Sequence, residues 1–348
     1  MRSARALSTV VAVVVAVVAV AAGCSPASVS QASQQPPSPV GSTAPASGAP
    51  SAPGGPATGA PGGAPPSPVT LPGKGSRQSL RQLRDLTQSM ADGMTTTSFR
   101  VATFNVLGAS HTVAGGRHSG FAAGQVRMPW ALGLLRSAGV EVAGLQELQP
   151  PQIDVLRRLA PGWDLFPTAG AARISRANSI TWDSTRWSLL QGHTFPVPYF
   201  FGHPVQMPYV LLENRATGLP VWFVNAHNPA DAHGPAQQWR AEAVRREASL
   251  VTSLAATDIP VVLTGDMNDR ADFFCAITAL TELHAAAGGD HAGGCHPPAG
   301  VGVDWILGTP NVSFDRFVVQ RGGLVARTSD HPFLYADVSV GPFQVEGP

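Results

Sequence analysis

A chain of 348 residues with 23 lysines and arginines against 22 aspartates and glutamates has a formal net charge of +1. Only 13% of it is charged, and the basic density of its apolar part is scattered arginine, so the strongly basic footprint of a tight nucleic-acid binder is excluded. Three cysteines are too few for a disulfide-built scaffold, so stability has to come from a core.

Residues 1–23 read as a signal peptide. Arg2 and Arg5 give a basic start, and Ala6 to Ala22 is apolar apart from Ser8 and Thr9. Ala21-Ala22-Gly23-Cys24 resembles the lipobox of bacterial lipoproteins, in which the cysteine is lipidated and becomes the new N-terminus; an uncleaved membrane anchor is the alternative. Both place the remainder outside the cytoplasm. Residues 24–75 are mostly Pro, Ala, Gly and Ser, with no charge before Lys74. They cannot bury enough apolar surface to offset chain entropy, and a disordered tether is expected. Within 76–97, Leu80, Leu83, Leu86 and Met90 share a helical face and predict a short helix over 78–92 followed by a linker.

From 98 to 341 apolar runs alternate with turn signals, before a short tail at 342–348. About 245 residues suffice for one large core. The predicted strands are Phe99–Asn105, Val142–Gln146, Ser179–Trp182, Val221–Ala226, Val261–Leu263, Asp304–Leu307, Phe314–Val319 and Leu334–Ser339. Helices are predicted over Arg127–Ser137, Gln152–Leu159 and Pro235–Ala256, the last with proline at its start. Between the first strand and first helix, Ala109–Gln125 is glycine-rich and without periodicity. The aromatic stretch Phe195–Tyr209 reads as a strand pair packed on the core, or as exposed aromatics that meet lipid. Few crossover helices for so many strands suggest two packed sheets flanked by helices, a layered α/β arrangement.

Polar side chains recur where the apolar runs begin or end. Asn105 closes FRVATFN, Glu147 follows VAGLQ, and His227 follows VWFVNA. Asp266 and Asn268 follow PVVLTG with a spacing of two, which points both to one side of an extended chain. Asp304 opens DWILG, and Asp330-His331 precedes the last strand. Taken singly, each has a bland reading as a turn residue, a cap or a solvated charge. Taken together they suit metal-assisted hydrolysis: a carboxylate binds a hard divalent cation, and Asp266 with Asn268 holds a water and a phosphoryl oxygen. A histidine base such as His331 gains from a carboxylate such as Asp304 that fixes its tautomer. A second imidazole, His227, can offset charge on the phosphoryl group or protonate the leaving oxygen. Cys275 and Cys295 would close a loop of about 20 residues, worth roughly 3 kcal/mol as a disulfide; two free thiols are the alternative.

The ordered set FNV, QE, NAH, GDMN, VDWI and SDHP resembles the endonuclease–exonuclease–phosphatase superfamily, with its pancreatic-deoxyribonuclease-like fold, over residues 98–341. The resemblance implies an α/β (α+β) four-layer sandwich, two packed mixed β-sheets flanked by helices, that cleaves phosphoesters with a divalent metal. It implies Asn105, Glu147 and Asp330 on the metal side, holding Mg²⁺ (or Mn²⁺ or Ca²⁺). It implies His227, Asp266, Asn268, Asp304 and His331 as the catalytic set, and a disulfide between Cys275 and Cys295. Two features depart from the best-known members. Leu148-Gln149-Pro150 follows Glu147 without the arginine that secreted deoxyribonucleases use against DNA, and Gly162–Asn178 offers no obvious tyrosine and no placed partner acid for His227. Asn178, Arg173 and Arg176 are the polar candidates there.

The resulting expectation is a lipid-anchored phosphodiesterase or nuclease-like hydrolase outside the cytoplasm, monomeric by default and joined to a membrane through its N-terminal lipid. Its phosphoester substrate is a nucleic acid, a phospholipid or sphingolipid headgroup, or a small phosphorylated molecule. A catalytically silent binding module of the cell envelope is the alternative outside the enzyme class.

Overall fold

The computed structural model describes residues 95–167, 177–300 and 302–342. The predicted leader, Cys24, the tether and the helix over 78–92 lie outside them, as do Arg173, Arg176 and most of the C-terminal tail.

Twelve strands form two six-stranded mixed sheets. The first has the order β11-β12-β1-β2-β4-β3, built from β1 (Thr97–Asn105), β2 (Val142–Gln146), β3 (Trp163–Phe166), β4 (Ser179–Asp183), β11 (Val312–Gln320) and β12 (Phe333–Val340). The second has the order β5-β6-β7-β8-β10-β9, from β5 (Trp187–Pro198), β6 (Pro204–Asn214), β7 (Pro220–His227), β8 (Val261–Asp266), β9 (His284–Ala285) and β10 (Asp304–Gly308). Each sheet has one parallel pair at its centre, β1 with β2 and β7 with β8, and antiparallel neighbours elsewhere.

Helices α1 (Gly124–Ser137), α2 (Pro150–Leu159) and α5 (Gly323–Thr328) belong with the first sheet. Helices α3 (Gln237–Ala255) and α4 (Ala271–Leu280) cover the outer face of the second. Three apolar clusters fill the three interfaces of the four layers. Phe99, Trp187 and Phe223 pack edge-on between the sheets, with the first two ring centroids 5.0 Å apart. Each such aromatic contributes about 1.5–3 kcal/mol by burial.

The central strands β2, β7 and β8 were legible because they are buried on both faces, so they read as largely apolar runs. Phe195–Tyr209 is a strand pair, the tip of the long β5–β6 hairpin. Helix α4 was not expected. Its sequence ADFFCAITAL is apolar almost throughout and shows no helical stripe, because α4 buries Phe273, Phe274 and Ile277 while Cys275 bonds to Cys295. The Cys275–Cys295 disulfide ties α4 to the long loop before β10.

Candidate active site

The parallel pairs set the site. β1 and β2 run together so that Asn105 lies level with Gln146, and β7 and β8 run together so that His227 lies level with Asp266. β10 runs antiparallel to β8 with Asp304 opposite Asp266. The polar ends of five segments therefore arrive at one edge of the sandwich, beside a cleft of roughly 950 Å³.

Two left-handed turns aim the side chains. Glu147 has φ 58° and Asn268 φ 48°, a region that costs energy for residues with a Cβ and is kept where a site over-determines it. Leu148 is tied back to Ala177 by a 2.8 Å backbone bond, and Asn268 donates from Nδ2 to Asn228 O at 2.8 Å.

Asn105 is fully buried, and its Nδ2 donates to Glu147 Oε1 at 3.1 Å and to Asp266 Oδ2 at 3.0 Å. Its oxygen accepts the Leu107 N–H at 3.0 Å. In this arrangement the amide NH₂ faces the carboxylates and Asn105 bridges them. Glu147 also accepts from Gly108 N at 2.7 Å and lies 3.3 Å from His111 Nε2. Burial works against the Glu147 carboxylate, but His227, the Gly108 and Asn105 hydrogen bonds and His111 outweigh it and hold its pKa below the usual value.

Asp266 is the hub. Its Oδ2 lies 3.5 Å from both His227 Nε2 and His331 Nε2, and its Oδ1 accepts the Asn268 N–H at 3.0 Å. His331 Nδ1 is 3.1 Å from each oxygen of Asp304, which is 1% exposed. Burial pushes Asp304 up, to about 6, against the pull of His331. Burial alone would lower His331; the Asp304 hydrogen bond and the charges of Asp266, Asp304 and Asp330 reverse that and raise it to about 10. At neutral pH the two form an ion pair.

Asp330 lines the same cleft, 3.6 Å from His118 Nε2. Asp266, Asp304 and His331 each offer a ligand atom, all within 4.8 Å of one another. The Glu147 and Asp330 carboxylates, which line the cleft beside this group, offer the oxygens that a hard divalent cation takes, so the donor chemistry fits the metal that the fold family implies. All eight predicted polar residues thus gather at one edge.

Sequence reasoning missed three contributors. Tyr199, at the β5–β6 tip and outside Gly162–Asn178, is a partner of His227 that the sequence did not point to: its hydroxyl is 3.4 Å from His227 Nε2. Burial and the Asp266 and Glu147 charges raise its pKa, which keeps it neutral. The only local clue was that a strand pair over Phe195–Tyr209 must turn at a sheet end. Arg127, fully buried on α1, donates to the carbonyls of Val106, Leu107, Ala122 and Thr328 at 2.6–2.7 Å. It clamps the chain after Asn105 to the chain before Asp330. Asn225 joins the sheets beneath the site, accepting from Gln146 and donating to the Leu145 and Ser179 carbonyls. Asn178, a candidate from sequence, lines the cleft with a buried Oδ1 that has no hydrogen-bond partner.

Several solved structures share this architecture. A crystal structure of an endonuclease/exonuclease/phosphatase family protein from Bacteroides thetaiotaomicron superposes with a TM-score of 0.55 at 18% identity, covering 71% of this chain and 99% of that one. The Bacteroides thetaiotaomicron mannosyl-6-phosphatase gives 0.53 at 17% identity, covering 69% and 99%. The D. rerio TDP2 complexed with a single-strand DNA product gives 0.53 at 15% identity, covering 70% and 99%. No curated protein matches the chain. The model of the endonuclease/exonuclease/phosphatase family matches residues 102–331, and the chain belongs to that family.

Proposed function

We propose that the cleft hydrolyses a phosphoester, most simply a phosphodiester, with the help of one divalent cation. The observation that carries this reading is the convergence of Asn105, His227 and His331 on the single oxygen Oδ2 of Asp266, with Glu147 one hydrogen bond away.

Glu147 and Asp330 would hold a Mg²⁺, Mn²⁺ or Ca²⁺ ion, which when bound supplies positive charge to a phosphoryl oxygen. Asp266 orients the attacking water and takes its proton as the water oxygen bonds to phosphorus and the leaving oxygen departs. His331 already carries its proton, held by Asp304, so it serves as a fixed positive charge beside the phosphoryl group rather than as the base. Asn268 orients a phosphoryl oxygen, and His227, backed by Tyr199, hands a proton to the leaving oxygen. Asn105 keeps the two carboxylates in register.

The test is hydrolysis of bis(p-nitrophenyl) phosphate with Mg²⁺ or Mn²⁺, with and without chelator. Chelation, Glu147→Gln and Asp266→Asn should each cost on the order of a hundredfold or more in kcat. If none of the three changes the rate, the enzyme reading is wrong and a silent binding module takes its place.

For substrate, a nucleic acid held weakly fits the near-neutral charge. A phospholipid or sphingolipid headgroup is the second reading. It is favoured by Phe201, 69% exposed at the cleft-side hairpin tip beside Phe200. Lipid anchoring outside the cytoplasm through Cys24 belongs to the same proposal; labelled palmitate incorporated by the wild type and not by Cys24→Ser would support it.

A further inference from the structure

The cleft does not end at the catalytic residues. Arg117 and His118, on the glycine-rich loop after β1, line both the cleft and a trough of roughly 620 Å³ that passes Trp130 of α1 and Arg327 of α5. A second trough, roughly 280 Å³, is lined by Arg321 and reaches the cleft at Asp330 and His331. Phe121 and Ala326 line both troughs and mark where they meet. Arg117, Arg321 and Arg327 thus share one grooved surface that is continuous with the cleft.

The fold holds these groups in place. The His118 N–H donates to the His111 carbonyl at 2.9 Å, a closure that Gly116 permits because a Cβ there would run into that carbonyl. His118 Nε2 lies 3.6 Å from Asp330 Oδ2, so the loop meets the chain that follows α5. Arg127 donates to the Thr328 carbonyl at 2.7 Å and pins α5 to α1. Beside that joint the Arg327 guanidinium carbon sits 4.8 Å from the centroid of the Trp130 ring. Carboxylates pair with Arg100, Arg186, Arg240, Arg245 and Arg246. Among the described residues Arg117, Arg321 and Arg327 have no such partner. The one carboxylate among the described residues that line the troughs is Asp330, which the reading above gives to the cation.

We propose that Arg117, Arg321 and Arg327 form a subsite for a second phosphate of the substrate, beyond the phosphoester that is cleaved. This rests on the hydrolytic reading above and deepens it, because a substrate with a single phosphate would leave the troughs empty. A guanidinium meets a phosphate with two parallel N–H donors, and one stacked on an indole gives up less freedom when it binds. The same charges draw an anionic substrate toward the cleft. Solvated surface arginines are the competing account, and they predict no preference that is lost with these side chains.

The experiment is calorimetric binding to the full chain with Mg²⁺ present, using paired ligands that differ by one phosphate. Thymidine 3′,5′-bisphosphate is set against thymidine 5′-monophosphate, and myo-inositol 1,4-bisphosphate against myo-inositol 1-phosphate. In at least one pair the bisphosphate should bind the wild type at least about tenfold more tightly. A gain in the thymidine pair alone points to a nucleic-acid strand, and a gain in the inositol pair alone to a phosphorylated lipid headgroup. In Arg117→Gln/Arg327→Gln the gain should fall to about threefold or less. Added salt should shrink it more in the wild type than in the variant. Because each gain is a ratio within one protein, a general loss of binding cancels. No gain in either pair with the wild type overturns the proposal without any variant, and so does a full gain kept by the variant. Neither result touches the hydrolysis reading, which fails separately if chelation and Glu147→Gln leave turnover unchanged.

Discussion

Gly144 of β2 faces Asn225 of β7 across the two sheets so closely that a Cβ on Gly144 would lie 2.5 Å from Asn225 Oδ1. The same oxygen accepts the Gln146 amide at 2.6 Å, and Asn225 Nδ2 donates to the Leu145 and Ser179 carbonyls. One missing methyl group thus lets a buried polar bridge join the sheets one residue before Glu147 and two before His227.

Gly144→Ala is expected to force the sheets apart at this bridge. Overpacking of a filled interface costs about 1–3 kcal/mol, and the broken bridge adds to it. Chemical denaturation should show the lost stability, and kcat should fall because Glu147 and Asp266 separate. A variant with wild-type stability and turnover would show that the bridge does not set the spacing.

Arg127→Met removes donors from four backbone carbonyls in three segments. The expected loss is on the order of 3–5 kcal/mol. Arg127→Lys should recover little, because an ammonium lacks the planar fork that reaches Val106, Leu107, Ala122 and Thr328 together. Full rescue by lysine in a denaturant titration would show that charge, not geometry, is what Arg127 contributes.

Asp304→Asn keeps shape and removes the charge that holds His331 protonated. The imidazole pKa should drop toward its ordinary value of 6.5. Turnover should fall by on the order of 10²-fold with KM little changed, and the pH profile should lose activity as pH rises through the new imidazole pKa. An unchanged alkaline limb would mean that His331 does not act as the fixed cation.

Glu247 on α3 is completely buried; burial raises its pKa from 4.5 to about 8, with the Asn228 amide pulling the other way. Between those two values the unfolded chain releases a proton that the folded chain keeps. Its contribution to stability is therefore full below pH 4.5 and is lost as pH rises through about 8. Glu247→Gln, which never ionises, should melt above the wild type at pH 8 and close to it at pH 4, by roughly 2–4 °C for each 1 kcal/mol recovered. An equal gap at both pH values would assign the effect to packing.

What could be read from the chain follows from what is local. Strand β8 and the helix over Gln237–Ala255 announce themselves in their own residues, through a largely apolar run and through helix formers after a proline. The polar motifs were visible because each begins or ends such a run, and their order carries the family resemblance. Tyr199 beside His227, Arg127 across Leu107 and Thr328, Asn225 between the sheets, and His111 over Glu147 have no such signature. Their partners lie on other strands and loops, and a side chain's reach across a fold is not written in its neighbours. The amino-acid order by itself determined which groups stand at strand ends. Only the packing of the two sheets, held close by Gly144 and Asn225, decided which of them touch.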